Sequence, residues 1–271
     1  MSDEGNWEAE EGPVRPRDRV VDEAKARLME LYFPSGVTEV YYGRQLEVWL
    51  EKEFFHWITR KALVELREER QIGFSVEETA QHEAHFYWPR RHRYPRRQIK
   101  EIIQLIDEFS EPTFTRAVGH HAELLFDSSL AYTGFRVRSR NVRSWGGKWW
   151  SDSNHDLDRV IERDGVAYGV EIKNQLGYID QTEFGVKLQM CEHLELRPLF
   201  VARMMPANYI NAVYQAGGFS LIVGDLLYPL MADRLAKQVR DRLKYPVVSV
   251  RALPDTALAR FTEWHKRQGG V

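Results

Sequence analysis

The feature that most constrains the fold of this chain is a pair of β-rich runs, Leu157–Arg163 and Val166–Lys173. Only Asp164-Gly165 separates them, and an Asp-Gly pair in this position is the strongest short-range signal for a β-hairpin. With these two residues as the loop, the residue numbers of any two directly opposed positions have the same sum. The hairpin register therefore places Asp158 directly opposite Glu171 across the two strands.

Two carboxylates in opposed positions have Cβ atoms about 5 Å apart on one face of a sheet. Like charges at this distance repel, so the pattern indicates a positive partner between Asp158 and Glu171. Such oxygen ligands suit Mg²⁺ (or Mn²⁺), and Mg²⁺ binds few protein ligands and keeps several waters. Lys173 follows Glu171 by two residues and lies on the same face. A lysine beside a metal-bound water can orient that water or stabilise charge that develops on a phosphate.

Helix and strand patterns alternate around the hairpin from about residue 112 onward. The order is α-β-β-β-α-β and then α-β, which predicts an α/β fold with helices packed on a central sheet. Besides the hairpin, the predicted elements are helices over residues 115–132, 182–194 and 208–215 and strands over residues 135–142, 199–203 and 219–224.

Asp158, a hairpin, and then Glu171-Ile172-Lys173 form a pattern that resembles the PD-(D/E)XK nuclease superfamily. The order of the predicted elements is also similar to the core of that superfamily. The resemblance covers residues 112–229, and Leu157 stands where the name-giving pattern has a proline. It implies a restriction-endonuclease-like αβββαβ core, with a mixed central sheet flanked by helices. It also implies a Mg²⁺-dependent nuclease, without specifying the substrate.

The resemblance implies roles for the residues of the hairpin. Asp158, Glu171 and the backbone carbonyl of Ile172 would hold the metal ion, and Lys173 would position the attacking water. The plainer interpretation of the two acids is a surface sheet decorated with salt bridges, formed with Arg159 or Lys173.

The resemblance implies two further site residues on the helices that flank the hairpin. Glu123 is similar to the glutamate that the first helix of the superfamily often contributes, and it would reach the metal ion directly or through water. Lys187 lies near the position of a further polar catalytic residue, and Gln189 competes with it for that role. Ordinary exposed helix residues are the alternative interpretation of all three positions.

The chain before residue 112 has a different pattern. Residues 1–18 predict a flexible tail that is acidic at its start. Residues 19–111 predict a mainly helical module that resembles a winged helix-turn-helix, with a recognition helix that begins at Thr59 and a wing over residues 71–88. The other elements predicted in this module are helices over residues 20–33, 41–56 and 97–109 and short strands over residues 72–76 and 83–88.

A basic segment over residues 89–100, PRRHRYPRRQIK, follows the predicted wing and contains six Lys or Arg residues and no acid. Clusters of this kind supply the phosphate contacts of nucleic-acid-binding proteins. A solvated, charged loop is the plainer interpretation, but the preceding winged-helix-like pattern favours DNA. The predicted DNA-binding residues are Arg60, Lys61, Arg90, Arg91, Arg93, Arg96 and Arg97.

Trp145, Trp149 and Trp150 border a Gly-rich loop just before the hairpin. They could stack on bases or form a folded aromatic loop end, and the sequence does not choose between these. Cys191 lies on an apolar helix face, which predicts that it is a core residue. As the only cysteine of the chain, it excludes an intramolecular disulfide and a Cys-based zinc site.

The acidic N-terminus does not resemble a secretory signal, and no apolar run approaches the roughly 20 residues of a membrane span. These observations predict a cytoplasmic protein without membrane association. DNA is the predicted partner and RNA is the less favoured one, while two cuts on a duplex would favour a homodimer. The alternative from another functional class is a DNA-binding or regulatory protein that keeps a nuclease fold without cleaving.

Overall fold

The computed structural model describes residues 19–130 and 132–268. The acidic tail predicted over residues 1–18 lies outside the described residues. The chain divides into two compact units. The first comprises the residues up to Glu78 together with Glu83–Glu101, and the second comprises Thr79–His82 and the residues from Ile102 onward. The division therefore falls before residue 102, whereas the sequence analysis placed it at residue 112.

The first unit combines helices with a small antiparallel sheet. Its elements are α1 (Arg19–Leu31), β1 (Tyr41–Tyr42), α2 (Gly43–Trp49), α3 (His56–Glu68), β2 (Ile72–Glu78) and β3 (Glu83–Pro89). Strand β3 lies between β1 and β2 and pairs with both in antiparallel register. The two strands predicted for the wing are thus present. A further helix, α4 (Arg96–Phe109), crosses the division between the units.

Apolar side chains of α1 and α3 form the core of the first unit. Leu28 of α1 and Leu63 and Leu66 of α3 are almost fully buried in one cluster. Lys25 of α1 is also buried and forms salt bridges with Glu65 of α3 (3.3 Å) and with Glu69, the residue that follows α3. These contacts join the first helix of the unit to the helix that the sequence predicts to be the recognition helix.

The helix predicted to begin at Thr59 begins earlier in the chain. Helix α3 begins at His56 because the carbonyl of Phe55 accepts hydrogen bonds from the backbone N–H groups of Ile58 and Thr59. Thr59 is therefore inside the helix, where its side chain is fully buried. The helix predicted over residues 41–56 is also shorter than expected. It is limited to α2, and turns follow it, with the carbonyl of Leu50 accepting from two backbone N–H groups.

The second unit is a mixed α/β structure. Besides the end of α4, its elements up to the middle of the chain are α5 (Pro112–Leu130), β4 (Arg136–Val142), β5 (Ser144–Trp145), β6 (Lys148–Trp149), β7 (Leu157–Arg163), β8 (Val166–Lys173) and α6 (Gln181–His193). They are followed by β9 (Arg197–Ala202), α7 (Ala207–Gln215), β10 (Phe219–Ile222), β11 (Leu226–Tyr228), a 3₁₀ turn (Leu230–Ala232), α8 (Asp233–Leu243), β12 (Val247–Ser249) and α9 (Asp255–Arg267).

The central sheet of this unit has five strands in the order β10-β9-β8-β7-β4. Strand β7 pairs with β4 and with β8 in antiparallel register, whereas β9 pairs with β8 and with β10 in parallel register. The predicted mixed α/β fold, with a mixed central sheet and flanking helices, is confirmed at this level.

The β7–β8 hairpin has the predicted register. Arg163 pairs with Val166 next to the loop, and Arg159 pairs with Val170 near the other end of the ladder. Asp164-Gly165 both have positive φ (51° and 75°), as a tight hairpin turn with an Asp-Gly pair requires. The two strands that carry the proposed acidic residues are thus neighbours at the centre of the sheet.

The register sorts the hairpin side chains between the two faces of the sheet. On one face, Ile161, Tyr168 and Val170 are buried in a core that also contains residues of α5 and α9. On the other face, Leu157 and Val160 are buried together with residues of α6. We call these the α5 face and the α6 face. Parity along the strands assigns the hairpin residues to these faces, except for Leu157, which is odd-numbered like Ile161 but lies on the α6 face.

Helix α6 packs directly on the sheet because one residue of β8 has no side chain. A Cβ atom on Gly169 would lie 2.7 Å from Sγ of Cys191 and 2.8 Å from Cδ1 of Leu157. Cys191 is buried, as predicted, and burial raises the pKa of its thiol to about 12. This close contact brings the polar side chains of α6 against β8. None of the helices in the described ranges is long and apolar enough to span a bilayer.

Candidate functional site

Four charged residues predicted for the site come together on the α6 face. They are Asp158 of β7, Glu171 and Lys173 of β8, and Lys187 of α6. Glu171 is only 1% exposed. Its Oε1 lies 3.0 Å from Nζ of Lys173 and its Oε2 lies 2.6 Å from Nζ of Lys187. A buried carboxylate between two ammonium groups is thus the centre of the cluster.

Asp158 lies beside Glu171 and is held by the neighbouring strand. Its Oδ2 accepts a hydrogen bond of 2.7 Å from the backbone N–H of Ile172. Burial and the charge of Glu171 raise the pKa of Asp158 to about 7, although the Ile172 N–H and the two lysines oppose this shift. The two acids therefore interact unfavourably, as the sequence analysis expected from their register.

Lys173 has a second carboxylate partner, which the sequence analysis missed. Its Nζ lies 2.8 Å from Oε1 of Glu183 in the first turn of α6. Burial lowers the pKa of Lys173, but the charges and hydrogen bonds of Glu171 and Glu183 outweigh it, so the pKa is raised overall. Asp180 caps α6 by accepting from two backbone N–H groups. That cap fixes the first turn and is the sequence signal that could have drawn attention to Glu183.

Lys187 rather than Gln189 is the residue of α6 that joins the cluster. Lys187 is buried, and its Nζ donates a hydrogen bond to the backbone carbonyl of Asp156, just before β7. Gln189 is exposed. Two residues correspond to about 200° around a helix, so these side chains point in nearly opposite directions. Lys187 therefore connects Glu171 to the loop that leads into the strand of Asp158.

Glu123 does not join the cluster, contrary to the prediction. It lies on α5, and its Oε2 accepts a hydrogen bond of 2.8 Å from Nη2 of Arg159. Arg159 pairs directly with Val170 and is on the α5 face, opposite to the face of Asp158 and Glu171. Across the described residues, no group of three or more His, Cys, Asp or Glu side chains could hold a metal ion. Glu123 as a metal ligand is therefore not supported by the geometry.

Arg159 is central to this region, although the sequence analysis treated it only as a salt-bridge partner. Its side chain is 5% exposed and also forms an ion pair of 3.0 Å with Asp127 of α5. Its Nη1 donates a hydrogen bond of 2.7 Å to the backbone carbonyl of Asp158. Strand alternation places Arg159 on the same face as the buried Ile161, and a buried arginine requires acidic partners. The acids Glu123 and Asp127, four residues apart on one helix, were the available signal.

The cluster fits a hard divalent cation in the kind and number of its oxygen donors. Asp158 and Glu171 offer carboxylates, and Mg²⁺ in proteins takes one or two carboxylates and keeps several waters. Oε2 of Glu171 is buried and, apart from its ion pair with Lys187, accepts no hydrogen bond from the described residues. The acids Asp158, Glu171 and Glu183 outnumber the ammonium groups of Lys173 and Lys187. A cation would balance the remaining negative charge.

No family model matches this chain, and neither does any curated protein. A functional assignment must therefore depend on the geometry and chemistry of the cluster.

The predicted DNA-binding residues lie in the first unit and in two different settings. Arg60 of α3 is held by Glu47, with Nε 2.7 Å from Oε1 and Nη2 3.0 Å from Oε2. Lys61 is exposed on the same helix. Arg97 pairs with Glu101 at 3.0 Å. The remaining arginines of the basic segment are exposed on the loop after β3 and at the start of α4, namely Arg90, Arg91, Arg93 and Arg96.

Replacement of Asp158 by asparagine is expected to stabilise the metal-free protein in a pH-dependent way. The pKa of this carboxyl rises from 3.8 to about 7 in the folded protein. Between these values the folded state keeps a proton that the unfolded state releases, so the free energy of unfolding falls as pH rises through this window. The variant should therefore gain about 1–4 kcal/mol at pH 8 and almost nothing at pH 4.

Urea unfolding in EDTA at both pH values measures this difference. The exposed Asp152 provides the control, because its replacement by asparagine should change the free energy of unfolding little at either pH. An equal gain at pH 4 and pH 8 for the Asp158 variant would contradict the expected coupling.

Proposed function

We propose that this protein is a metal-dependent nuclease that hydrolyses phosphodiester bonds in DNA. The observation that carries the proposal is the meeting of Asp158, Glu171 and Lys173 on one face of two central strands. Two carboxylates and a lysine beside a divalent cation are the equipment for phosphodiester hydrolysis. The element order α5-β4-β7-β8-α6-β9, interrupted only by the short β5–β6 hairpin, supports the restriction-endonuclease-like core that the sequence resemblance implies.

The side chains of the cluster have different roles in the proposed reaction. Asp158, Glu171 and the carbonyl of Ile172 would hold Mg²⁺ (or Mn²⁺), which when bound supplies positive charge to a phosphate oxygen and makes a bound water more acidic. Lys173 has a raised pKa and remains an ammonium group. It therefore donates a hydrogen bond that orients the attacking water, and it does not remove a proton.

Lys187 acts in this proposal on the protein rather than on the phosphate. It is buried and holds both the Glu171 carboxylate and the Asp156 carbonyl. These contacts fix the orientation of Glu171 relative to the start of β7, and so relative to Asp158. Glu183 has a similar positioning role, because it restrains the ammonium group of Lys173.

The first unit is proposed to bind DNA as a winged-helix-like module. Its order α1-β1-α2-α3-β2-β3 supports this assignment, as does the exposed basic segment that follows β3. On the exposed side of α3, the aromatic ring of Trp57 is 57% exposed and lies one helical turn from the exposed Lys61. Arg60 contributes less, because Glu47 neutralises it.

A cleavage assay on the wild-type protein tests the nuclease proposal. The substrates are linear duplex, single-stranded, supercoiled and branched DNA and a matched RNA duplex, each with Mg²⁺, Mn²⁺ or EDTA. We expect metal-dependent cutting of DNA and none in EDTA. Retained DNA binding without cutting on any substrate, at any metal concentration, would contradict the proposal.

Replacement of Arg90, Arg91 and Arg93 by alanine is expected to weaken DNA binding about tenfold or more at low salt. Loss of up to three phosphate contacts should also reduce the dependence of log Kd on log salt by up to about 3. Electrophoretic or anisotropy titrations over a salt series measure both effects. An alanine variant of Arg19 and Arg27, which pair with glutamates elsewhere in the unit, is the control. Equal binding and equal salt dependence would contradict the assigned surface.

A non-cleaving DNA-binding protein is the second candidate, and one observation favours it. Lys173 and Lys187 already form ion pairs with Glu171, so the buried carboxylate is neutralised without a metal. Titration calorimetry with Mg²⁺ and Mn²⁺ separates the candidates. Under the nuclease proposal the metal binds and Glu171→Gln weakens its binding, whereas a non-cleaving protein shows neither property.

A further inference from the structure

A short aromatic hairpin on the α6 face has a side chain that the proposed reaction does not use. Strands β5 and β6 are joined by Gly146 and Gly147, which both have positive φ (56° and 81°). The hairpin carries Trp149 with its side chain 61% exposed, whereas Trp150, the next residue, is 3% exposed. One tryptophan anchors the segment in the core and the other presents its ring to solvent.

The base of the hairpin is rigidly held. Nε1 of Trp150 donates a hydrogen bond of 2.9 Å to Oγ of Ser153. The Arg143 side chain donates a hydrogen bond of 2.8 Å to the Ser153 carbonyl. The backbone carbonyl of Arg143 accepts a hydrogen bond of 2.7 Å from the Trp150 N–H. His193 at the end of α6 lies 2.9 Å from the carbonyl of Trp149. The exposed ring of Trp149 is therefore presented by a fixed backbone rather than by a loose loop.

Arg143 gives this exposed ring a cationic neighbour. The guanidinium carbon of Arg143 lies 5.7 Å from the centroid of the Trp149 ring. A guanidinium at this distance over an indole forms a cation–π contact. An aromatic face beside a fixed positive charge matches a nucleotide, which has a flat base and an anionic phosphate.

The hairpin also shares a face of the sheet with the carboxylate–lysine cluster. Trp150 is buried in the same core as Leu157 and Val160 on the α6 face. His193 contacts the hairpin and Lys187 contacts Glu171, and both lie on α6. Six residues of helix separate them by about 9 Å along the axis. The hairpin and the cluster are therefore both attached to α6, less than two helical turns apart.

We propose that Trp149, backed by Arg143, is a stacking platform for an unpaired base of single-stranded DNA. This inference rests on the proposed nuclease function and specifies the form of its substrate beside the cluster. A base inside a duplex is already stacked on its neighbours, so an isolated exposed indole face selects bases that are unpaired. The platform would hold the strand on the same face of the sheet as the cluster.

The test measures binding of labelled oligothymidylate and of a labelled duplex of equal length by fluorescence anisotropy in EDTA. Trp149→Ala is expected to weaken binding of the single strand about 5- to 150-fold, the factor for loss of one base–aromatic stack. Duplex binding should change less than about twofold, and Trp149→Phe should recover part of the loss because it keeps a ring. The exposed side chain implies that all variants unfold at the wild-type temperature.

Tyr214→Ala is the matched control, because Tyr214 is an aromatic residue of the same unit, on α7, with 68% exposure. It should leave single-strand binding unchanged. Single-strand binding by Trp149→Ala at the wild-type Kd would overturn the proposal, and so would an equal loss on the single strand and the duplex.

Cleavage measured on the same proteins separates this inference from the nuclease proposal. If the wild-type protein cuts no DNA but Trp149→Ala selectively weakens binding of the single strand, the stacking platform is supported and the nuclease function is contradicted. If the wild-type protein cuts DNA while Trp149→Ala binds the single strand normally, the platform is wrong and the nuclease function stands.

Discussion

Substitution of Glu171 by glutamine is expected to reduce metal-dependent DNA cleavage by about 10³-fold or more, while DNA binding in EDTA is retained. Glutamine has the same shape but removes the negative charge between Lys173 and Lys187. Without that charge, Asp158 is the remaining carboxylate toward the metal, and the two ammonium groups repel a cation. Initial cleavage rates over a Mg²⁺ series, together with the Kd of DNA in EDTA, measure the two properties separately.

Glu162→Gln is the matched control for this experiment. Glu162 lies on β7 at the opposite end from Asp158, and it pairs with Arg138 near the surface. Its variant should cleave DNA at nearly the wild-type rate. Cleavage that persists in Glu171→Gln at the wild-type rate would show that the chemistry occurs elsewhere, and the assignment of the site would then be wrong.

Replacement of Arg159 by leucine is expected to lower the free energy of unfolding by about 3 kcal/mol. The guanidinium is almost fully buried and binds Glu123, Asp127 and the carbonyl of Asp158. Its removal takes this cation from Glu123 and from the Asp158 carbonyl, whereas Asp127 keeps Arg140 at 2.8 Å. For a unit of this size, the loss corresponds to a decrease in Tm of about 6–12 °C. Thermal and urea unfolding in EDTA measure it.

Arg138→Leu is the control, because Arg138 forms an ion pair at the surface with its side chain 43% exposed. That substitution should cost less than about 1 kcal/mol. Glu123→Gln completes the series and should reduce stability but leave cleavage within about tenfold of wild type. If Glu123→Gln instead abolished cleavage without changing the free energy of unfolding, Glu123 would be assigned as a metal ligand.

The hairpin could be predicted from the sequence because its determinants are local. The Asp164-Gly165 loop fixes the register, and the register alone decides that Asp158 and Glu171 are neighbours. Strand alternation then decides that Lys173 is on their face. None of these inferences requires knowledge of how the helices pack. The mixed α/β class follows in a similar way from the alternation of periodicities along the chain.

The position of Glu123 could not be predicted in the same way. It depends on which face of the sheet α5 covers, and this is decided by tertiary packing. The sequence of β7 places Arg159 on the α5 face, and the buried arginine then attracts the acids of that helix. Glu183 was missed because its contact with Lys173 depends on how closely α6 approaches β8, which Gly169 makes possible.

The start of α3 shows a limit of a different kind. A threonine before an apolar, helix-like run is a common N-cap, but the signal is local and other contacts can override it. Here the carbonyl of Phe55 accepts from the N–H groups of Ile58 and Thr59, so the helix starts at His56. Thr59 is therefore inside the helix and buried.

The two-residue loop between β7 and β8 also affects the order in which the protein folds. Closing so short a loop costs little chain entropy, and hairpins form within microseconds. Docking of α6, which brings Lys187, requires more distant segments of the chain to meet. We therefore expect Asp158 and Glu171 to approach each other early, with Lys173 of the same hairpin beside Glu171, before Lys187 arrives. The barrier to folding thus contains carboxylate repulsion that Lys187 reduces in the folded protein.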